Sequence, residues 1–314
     1  MAWSGEPVRV RVPATSANLG PGFDALGLAL SLHDEVEARV TAGGLSIEVT
    51  GEGAGVAEAG EKHLIVTAMR AAFDDLGRPQ PPGIALRCAN RIPHGRGLGS
   101  SAAAIAAGIL AARALAEAPS TPEAALPLAT ELEGHPDNVA ACLLGGLTIA
   151  WRDKAVRLEP LPTITPVAVI APAPVRTEVA RSVLPARVPH KDAAFNAARS
   201  ALLVAALTAR PDVLLEATED RLHQGYRADA MPATHRLIKR LRGNGIPAVV
   251  SGAGPSVLVL ATNRSWLDRM DSIAAETGSP WHISPLDVER HGASILSATP
   301  THRHGGTRDG AGPS

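Results

Sequence analysis

From Arg91 to Leu115 the chain reads RIPHGRGLGSSAAAIAAGILAARAL, with three glycines in five positions, two serines, and then a run of alanines and branched aliphatics. Ala102 to Leu115 is strongly helix-forming. Its Ile105, Ile109, Leu110 and Leu115 leave no polar stripe, so such a helix has to be enclosed by other elements on nearly every side, and enclosure holds its first turn rigidly. Gly95, Gly97 and Gly99 give the approach to the helix access to positive φ and remove side chains that would hold a ligand off the main chain. Ser100 reads as the N-cap. Unpaired N–H groups at the positive end of a helix dipole make an anion site suited to phosphate, and Ser100 or Ser101 adds a hydroxyl able to ligate Mg2+. A tight strand-to-helix turn is the competing, purely structural explanation of the glycines.

The familiar phosphate and nucleophile motifs fail on spacing. GFDALG at 22–27 is followed by Leu28 rather than the lysine of a P-loop, and neither GxGxxG in this loop nor GxSxG is present. A net charge of -1, with both signs dispersed, gives no electrostatic footprint for nucleic acid or anionic lipid. The longest apolar-rich stretch, 102–112, is too short to span a bilayer. Cys88 and Cys142 stand far apart, against a disulfide framework or a structural zinc. Small-molecule partners and the cytoplasm are expected.

The 314 residues suit two domains. VRVRV (8–12) alternates as a strand and runs into the loop ATSANLGPGFD. DEVEARV (34–40) and LSIEVTG (45–51) read as a hairpin closed by Gly43-Gly44. Residues 61–77 read as a helix stopped by Gly77, and 84–92 as a strand entering the glycine loop. Residues 121–151 read as a helix, a polar turn, a short helix and a strand. Beyond about 152 the chain is punctuated by proline, with a strand at 167–171, helices near 193–209, 211–221 and 232–243, two buried strands around a glycine turn in 247–261, and a helix near 264–277. The division expected is 1–157, 158–298 and a polar tail, 299–314, which reads as disordered and carries His302 and His304.

Two further turns concentrate polar chemistry. ELEGHPDN (131–138) offers Glu131 or Glu133 as a hard metal ligand and Asp137 with Asn138 beside an attacking hydroxyl, although a helix end followed by an N-cap explains the same residues without chemistry. In PATSANLGPGFD (13–24), Asn18 and Asp24 are the side chains able to grip an amine or hydroxyl.

Together, PATSANLGPGFDALG, PHGRGLGSSAA, EGHPDNVA and SGAGPS, in that order over about residues 8 to 290, resemble the GHMP kinases, and the first and third stretches resemble the homoserine kinase branch of that superfamily. The resemblance implies an α+β, two-domain fold with the acceptor in the cleft between domains. It places ATP on Pro93, His94, Gly95, Arg96, Gly97, Leu98, Gly99, Ser100, Ser101, Ala102 and Ala103, and Mg2+ on Ser101 and Glu131, with Ser100 and Glu133 as alternatives. Asn18, Asp24, His135, Asp137 and Asn138 match the acceptor site, Asp24 suiting an ammonium. Arg181 and Arg227 match carboxylate-binding arginines, with Arg187 a rival for the first. Gly252 and Gly254 match a third glycine motif, and His63 stands near adenine where the family has asparagine. The reaction implied is transfer of the ATP γ-phosphoryl to the side-chain hydroxyl of L-homoserine, toward threonine, with Asp137 as base or Asn138 orienting the hydroxyl. Alternatives are a sugar or isoprenoid alcohol acceptor and a non-catalytic nucleotide-binding regulator. The partners implied are ATP and L-homoserine, with a homodimer left open.

Overall fold

The computed structural model describes residues 3–262 and 266–296, so the tail with His302 and His304 lies outside the described residues. The chain runs β1 (Val8–Ala17), β2 (Leu26–Thr41), β3 (Gly44–Gly51), a 3-10 segment (Ala54–Lys62), α1 (Leu64–Asp75), β4 (Gly83–Asn90) and α2 (Ser100–Leu115). It continues with α3 (Pro122–Glu133), α4 (Pro136–Leu144), β5 (Leu147–Trp151), β6 (Lys154–Leu158), β7 (Thr165–Ile170), α5 (Thr177–Ser182) and α6 (His190–Thr208). A 3-10 turn (Pro211–Val213) leads into α7 (Leu214–Ala217), then α8 (Pro232–Gly243), β8 (Ala248–Val250), β9 (Val257–Ala261), α9 (Leu267–Ala275), β10 (His282–Pro285) and β11 (Ser294–Leu296).

Seven strands form the first sheet in the order β11-β1-β2-β4-β3, with β5 added to β2 and β6 to β5. β2 is long enough to serve two partners: Leu26–Leu28 pairs with β5, and Glu35–Thr41 pairs with β4. β1 and β2 are antiparallel with a register shift at Pro13/Ala14, where proline has no N–H to give to the ladder. Their connection is the loop of Asn18 and Asp24.

Gly43-Gly44 does not close a hairpin. β4 lies between β2 and β3, parallel to β3, so that Thr41 and Gly44 flank Gly83 from opposite sides. A Cβ on Gly83 would overlap the Thr41 hydroxyl and come within 2.6 Å of the Gly44 carbonyl oxygen. Alternation along two consecutive strands establishes which residues face the core but not which strand becomes the neighbour.

The second sheet, β10-β7-β9-β8, is antiparallel. Val167, Val169, Val257 and Val259 face Leu237, Leu241 and Met270 of α8 and α9. The alternate residues Ala168, Ile170, Leu258 and Leu260 join the core that also holds α2, as the period of two requires for a strand buried on both faces. β11, counted with the second domain by the 157/158 division, returns to pair with β1 from Arg9↔Leu296 to Arg11↔Ser294. The helix expected over 211–221 shrinks to the 3-10 turn and α7, at whose end the Thr218 hydroxyl bonds the carbonyls of Leu214 and Leu215 and Arg242 also takes that of Leu215.

α2 is enclosed as its composition demands, with Ala102, Ala103, Ile105–Arg113 and Leu115 buried against β1, α1, α3 and α4. The closest approach is at Gly108, where a Cβ would stand 2.6 Å from the Ile65 carbonyl oxygen and 2.7 Å from the Ala68 Cβ. Gly108→Ala therefore sets about 1 kcal/mol of helix propensity against an overpacking cost of about 1–3 kcal/mol. We expect a net loss of stability, read as a lower urea midpoint; an unchanged or higher midpoint would contradict this packing.

Candidate active site

Four turns meet at one cavity of about 140 Å³: the β1–β2 loop, the glycine loop before α2, the α3–α4 turn and the β8–β9 turn. Arg181 of α5 and Arg227 complete its wall.

Gly95, Gly97 and Gly99 all take positive φ, at 65°, 74° and 71°. A Cβ on Gly97 would overlap the Ser251 carbonyl oxygen, one on Gly99 would overlap the Thr15 hydroxyl, and one on Gly95 would meet the Pro174 Cβ at 3.0 Å. The glycines are thus required by packing. The same packing turns carbonyls away from the cavity: Thr15 N donates to Leu98 O at 3.1 Å and Ser251 Oγ to Gly97 O at 2.6 Å. Ser100 is not the N-cap. That position belongs to Gly99, in the left-handed region, and no side chain caps the helix. The first-turn N–H groups are left to a ligand, with the dipole behind them. Arg96 turns away, donating to Ala171 O at 2.8 Å and Pro172 O at 2.9 Å, so it clamps the loop to the end of β7 and brings no charge to the anion site. Pro93, Leu98, Ala102 and Ala103 are buried beneath it.

A second cavity, about 350 Å³, shares Ser100 and Ser101 with the first and extends along Ala103, Ala104 and Ala107 to His63, Lys62 and His94. A mostly apolar slot opening onto an anion site suits a nucleoside joined to phosphate. His63 Nδ1 is buried there with no partner among the described residues, and burial, then the neighbouring His94, lowers its pKa. Asp34, which the sequence reading missed, also lines this cavity and accepts the N–H groups of Arg91 at 2.6 Å and Ile92 at 2.9 Å.

Gly134, left-handed at φ 82°, ends α3, and Pro136 opens α4, so Asp137 and Asn138 ride in the first turn of a new helix. Ser101 Oγ donates to Glu133 Oε2 at 2.7 Å. Burial raises the Glu133 pKa, opposed by the Ser101 hydrogen bond and by Arg181. Glu131 is exposed and outside the cavity. Two residues apart on a helix point to nearly opposite sides, so the carboxylate facing Ser101 is Glu133 and not Glu131. One hydroxyl and one carboxylate, beside an anion site, fit an ion such as Mg2+ that takes the rest of its oxygens from water and phosphate.

In the acceptor region Asn18 orders the loop, donating from Nδ2 to Gly252 O at 2.9 Å and accepting the Asp24 N–H at 2.9 Å. Arg181 grips Asp24 with both terminal nitrogens, at 2.6 and 3.2 Å. Arg187 is exposed and away from the cavity, which decides between the two. Arg227, 1% exposed, is lowered to about 10 by burial and then by the charge of Arg181, and remains a cation at neutral pH. His135 lines the cavity with its pKa lowered by burial, then by Arg181.

Asp137 is 2% exposed. Burial pushes its carboxyl up to about 7, against the hydrogen bond from Asn138 N. That N–H meets Oδ1 at 2.7 Å. Asn138 Oδ1 accepts from the Thr15 hydroxyl at 2.8 Å, and its Nδ2 has no hydrogen-bond partner among the described residues. A buried carboxylate poised near neutrality beside an anion site, an oriented amide and two arginines can deprotonate a bound hydroxyl while its neighbours hold a zwitterion. Sequence reasoning also missed Thr15, Ser251 and His223; the last sits four residues before Arg227 in a segment read only for its arginine.

The raised Asp137 has a stability consequence. Between 3.8 and about 7 the folded chain holds a proton that the unfolded chain has released, so stability falls as pH rises through that window. Asp137→Asn removes this loss. Its Tm is expected to exceed that of the parent at pH 8 by on the order of 5 °C and to match it near pH 4; the same difference at both pH values would show that Asp137 is not raised.

A model of the GHMP kinases N terminal domain matches residues 63–146, from the start of α1 through the glycine loop to the end of α4. Homoserine kinase of Streptomyces coelicolor is 57% identical over 94% of this chain and 96% of its own. Homoserine kinase of Clavibacter michiganensis is 50% identical over 93% of this chain and 95% of its own. The crystal structure of homoserine kinase from Cytophaga hutchinsonii superposes with a TM-score of 0.80 at 25% identity, covering 94% of this chain and 99% of that one. A mevalonate kinase, at a TM-score of 0.64 and 15% identity, shares the fold. Identity at this level along nearly the whole of both chains, over a site assembled from all four motifs, leaves one conclusion about descent: the chain belongs to the homoserine kinase family of the GHMP kinases.

Proposed function

We propose that the chain transfers the γ-phosphoryl group of ATP to the side-chain hydroxyl of L-homoserine, giving O-phospho-L-homoserine and ADP, a step toward threonine. The observation that carries this reading is one small cavity, at the mouth of an uncapped helix, lined both by a buried carboxylate near 7 and by two arginines, Arg227 and an Arg181 that grips Asp24 beside the cavity, a set suited to an amino-acid zwitterion.

The uncapped N–H groups of α2 and its dipole receive the triphosphate. Ser101 and Glu133 would hold Mg2+, which when bound neutralises charge on the phosphates. Asp24 exchanges Arg181 for the substrate ammonium, and Arg181 and Arg227 take the carboxylate. Asn138 Nδ2 orients the hydroxyl. As the hydroxyl oxygen bonds to the γ-phosphorus, the bond from that phosphorus to the bridging oxygen breaks, and ADP leaves with the electron pair. The hydroxyl proton passes to Asp137 Oδ2, the oxygen not engaged by Asn138 N. A sugar would bring no carboxylate for Arg227, an isoprenoid alcohol would bring no ammonium for Asp24, and a non-catalytic regulator would have no use for a carboxylate near 7. The cytoplasm suits the two buried, unpaired cysteines.

The test is transfer of label from γ-labelled ATP to a panel of homoserine, sugars and isoprenoid alcohols. Label is expected on homoserine; preferential labelling of another alcohol, or tight ATP binding with no transfer, would refute the reading. Asp137→Asn is expected to lower kcat by about 10² to 10⁴ with little change in KM, and a loss below tenfold would pass the hydroxyl to Asn138 alone. Glu133→Gln is expected to raise the Mg2+ concentration for half-maximal activity by roughly tenfold or more, whereas Glu131→Gln leaves it unchanged. The reverse pattern would move the metal site to Glu131.

A further inference from the structure

His223, 0% exposed, lies in the turns between α7 and α8, against the Arg227 that lines the acceptor cavity. Its Nε2 is 2.7 Å from the carbonyl oxygen of Gly20, in the loop of Asn18 and Asp24. A carbonyl only accepts, so Nε2 carries the proton. Its Nδ1 is 2.9 Å from Arg227 Nη1. A guanidinium only donates, so Nδ1 offers its lone pair. The two neighbours select one neutral tautomer from opposite sides of the ring. Burial also lowers the pKa of this imidazole. Asp220 Oδ2 stands 3.7 Å from Nε2, but the two Asp220 oxygens accept the N–H groups of Leu222, His223 and Gln224 at 2.9, 3.1 and 2.8 Å, which shapes the turn carrying the imidazole.

Arg227 is consequently constrained at two of its three nitrogens: Nε donates to Ala180 O at 2.9 Å, and Nη1 to His223 and, at 3.4 Å, to Gly252 O. Only Nη2 has no protein partner among the described residues, and Arg227 lines the acceptor cavity. Phe23 braces the arrangement, its ring 5.1 Å from that of His223 and 5.6 and 5.7 Å from the guanidinium carbons of Arg181 and Arg227. We propose that His223 is a positioning residue for recognition of the acceptor carboxylate: its Nδ1 holds Arg227 with Nη2 toward the substrate, and its Nε2–H ties that arginine to the loop carrying Asp24.

This inference rests on the homoserine reading, and the test separates the two. Two acceptors are compared, L-homoserine and 3-aminopropan-1-ol, the same amino alcohol without the carboxylate. His223→Gln keeps a donor for Gly20 O and takes away the acceptor of Arg227, while His223→Asn keeps an acceptor near the position of Nδ1 and gives up the tie to Gly20. The parent is expected to prefer homoserine in kcat/KM. In His223→Gln, KM for homoserine is expected to rise about 10- to 100-fold, the worth of a charge-assisted hydrogen bond. KM for ATP and kcat/KM for 3-aminopropan-1-ol stay level, and His223→Asn retains most of the preference. Equal losses on both acceptors, or a preference kept by the glutamine variant and lost by the asparagine variant, would overturn the role. A parent with no preference for homoserine would overturn the functional reading instead. Nitrogen-15 NMR of the labelled parent probes the tautomer without any variant, since a proton on Nδ1 at neutral pH is incompatible with the proposal and one on Nε2 alone is required by it.

Discussion

The position of one helix end governs this molecule. α2 is held so closely on its flanks that side chains as small as a methyl are refused: Gly108 abuts α1, and the glycine loop that feeds the helix presses Gly99 onto Thr15 and Gly97 onto the Ser251 carbonyl. Close packing of this kind transmits displacement with little compliance. The first turn of α2 therefore stays in register with β1 on one side and the β8–β9 turn on the other. Two separate hydrogen bonds, Ser101 to Glu133 and Thr15 to Asn138, stand beside that reference point. The purely structural explanation of the glycines and the functional one do not compete, because the packing that demands glycine is also what leaves the helix donors unspent.

Around that point the charges are mutually dependent. Arg181 pulls the carboxyls of Glu133 and Asp137 down, while Asp24 and Glu133 help push Asp137 up. A ligand that brings its own ammonium and carboxylate replaces the internal Asp24–Arg181 pair by two pairs of the same kind, so exchange costs little charge separation. A ligand carrying a single charge breaks that pair and replaces only one half of it, whereas an uncharged ligand leaves the pair closed and gains nothing from it. Under the proposed function, preference for a zwitterion follows from this balance of charge.

Much of the fold was legible in local pattern. The enclosed α2, the α3–turn–α4 unit, the paired strands around the SGAGPS turn and the helix at 232–243 all stand where their periodicity put them. The errors were of another kind. Gly43-Gly44 looked like a hairpin closure because two alternating strands flanked it, but neighbour choice is made by long-range pairing, and β4 inserted itself between them. Ser100 looked like a cap because serines cap helices, but the turn demanded by Thr15 moved the cap to Gly99. The family resemblance favours Glu131 over Glu133 as the metal ligand, but the rotation of α3 against α2 turns Glu133 to Ser101 and Glu131 to the outside.

What the amino-acid order determined by itself is the inventory and its local geometry: which turns need glycine, which helix must be enclosed on nearly every side, and which acids, amides and arginines are at hand. Those follow from steric and hydrogen-bonding rules that act over a few residues. Only the tertiary structure decided what those groups are chemically. Asp137 stands near 7 because it is buried, Arg96 is a clamp because Ala171 and Pro172 lie within its reach, and His223 has one tautomer because Gly20 and Arg227 approach its ring from opposite sides. Desolvation and partner geometry arise from residues far apart along the chain, so no short stretch of sequence contains them.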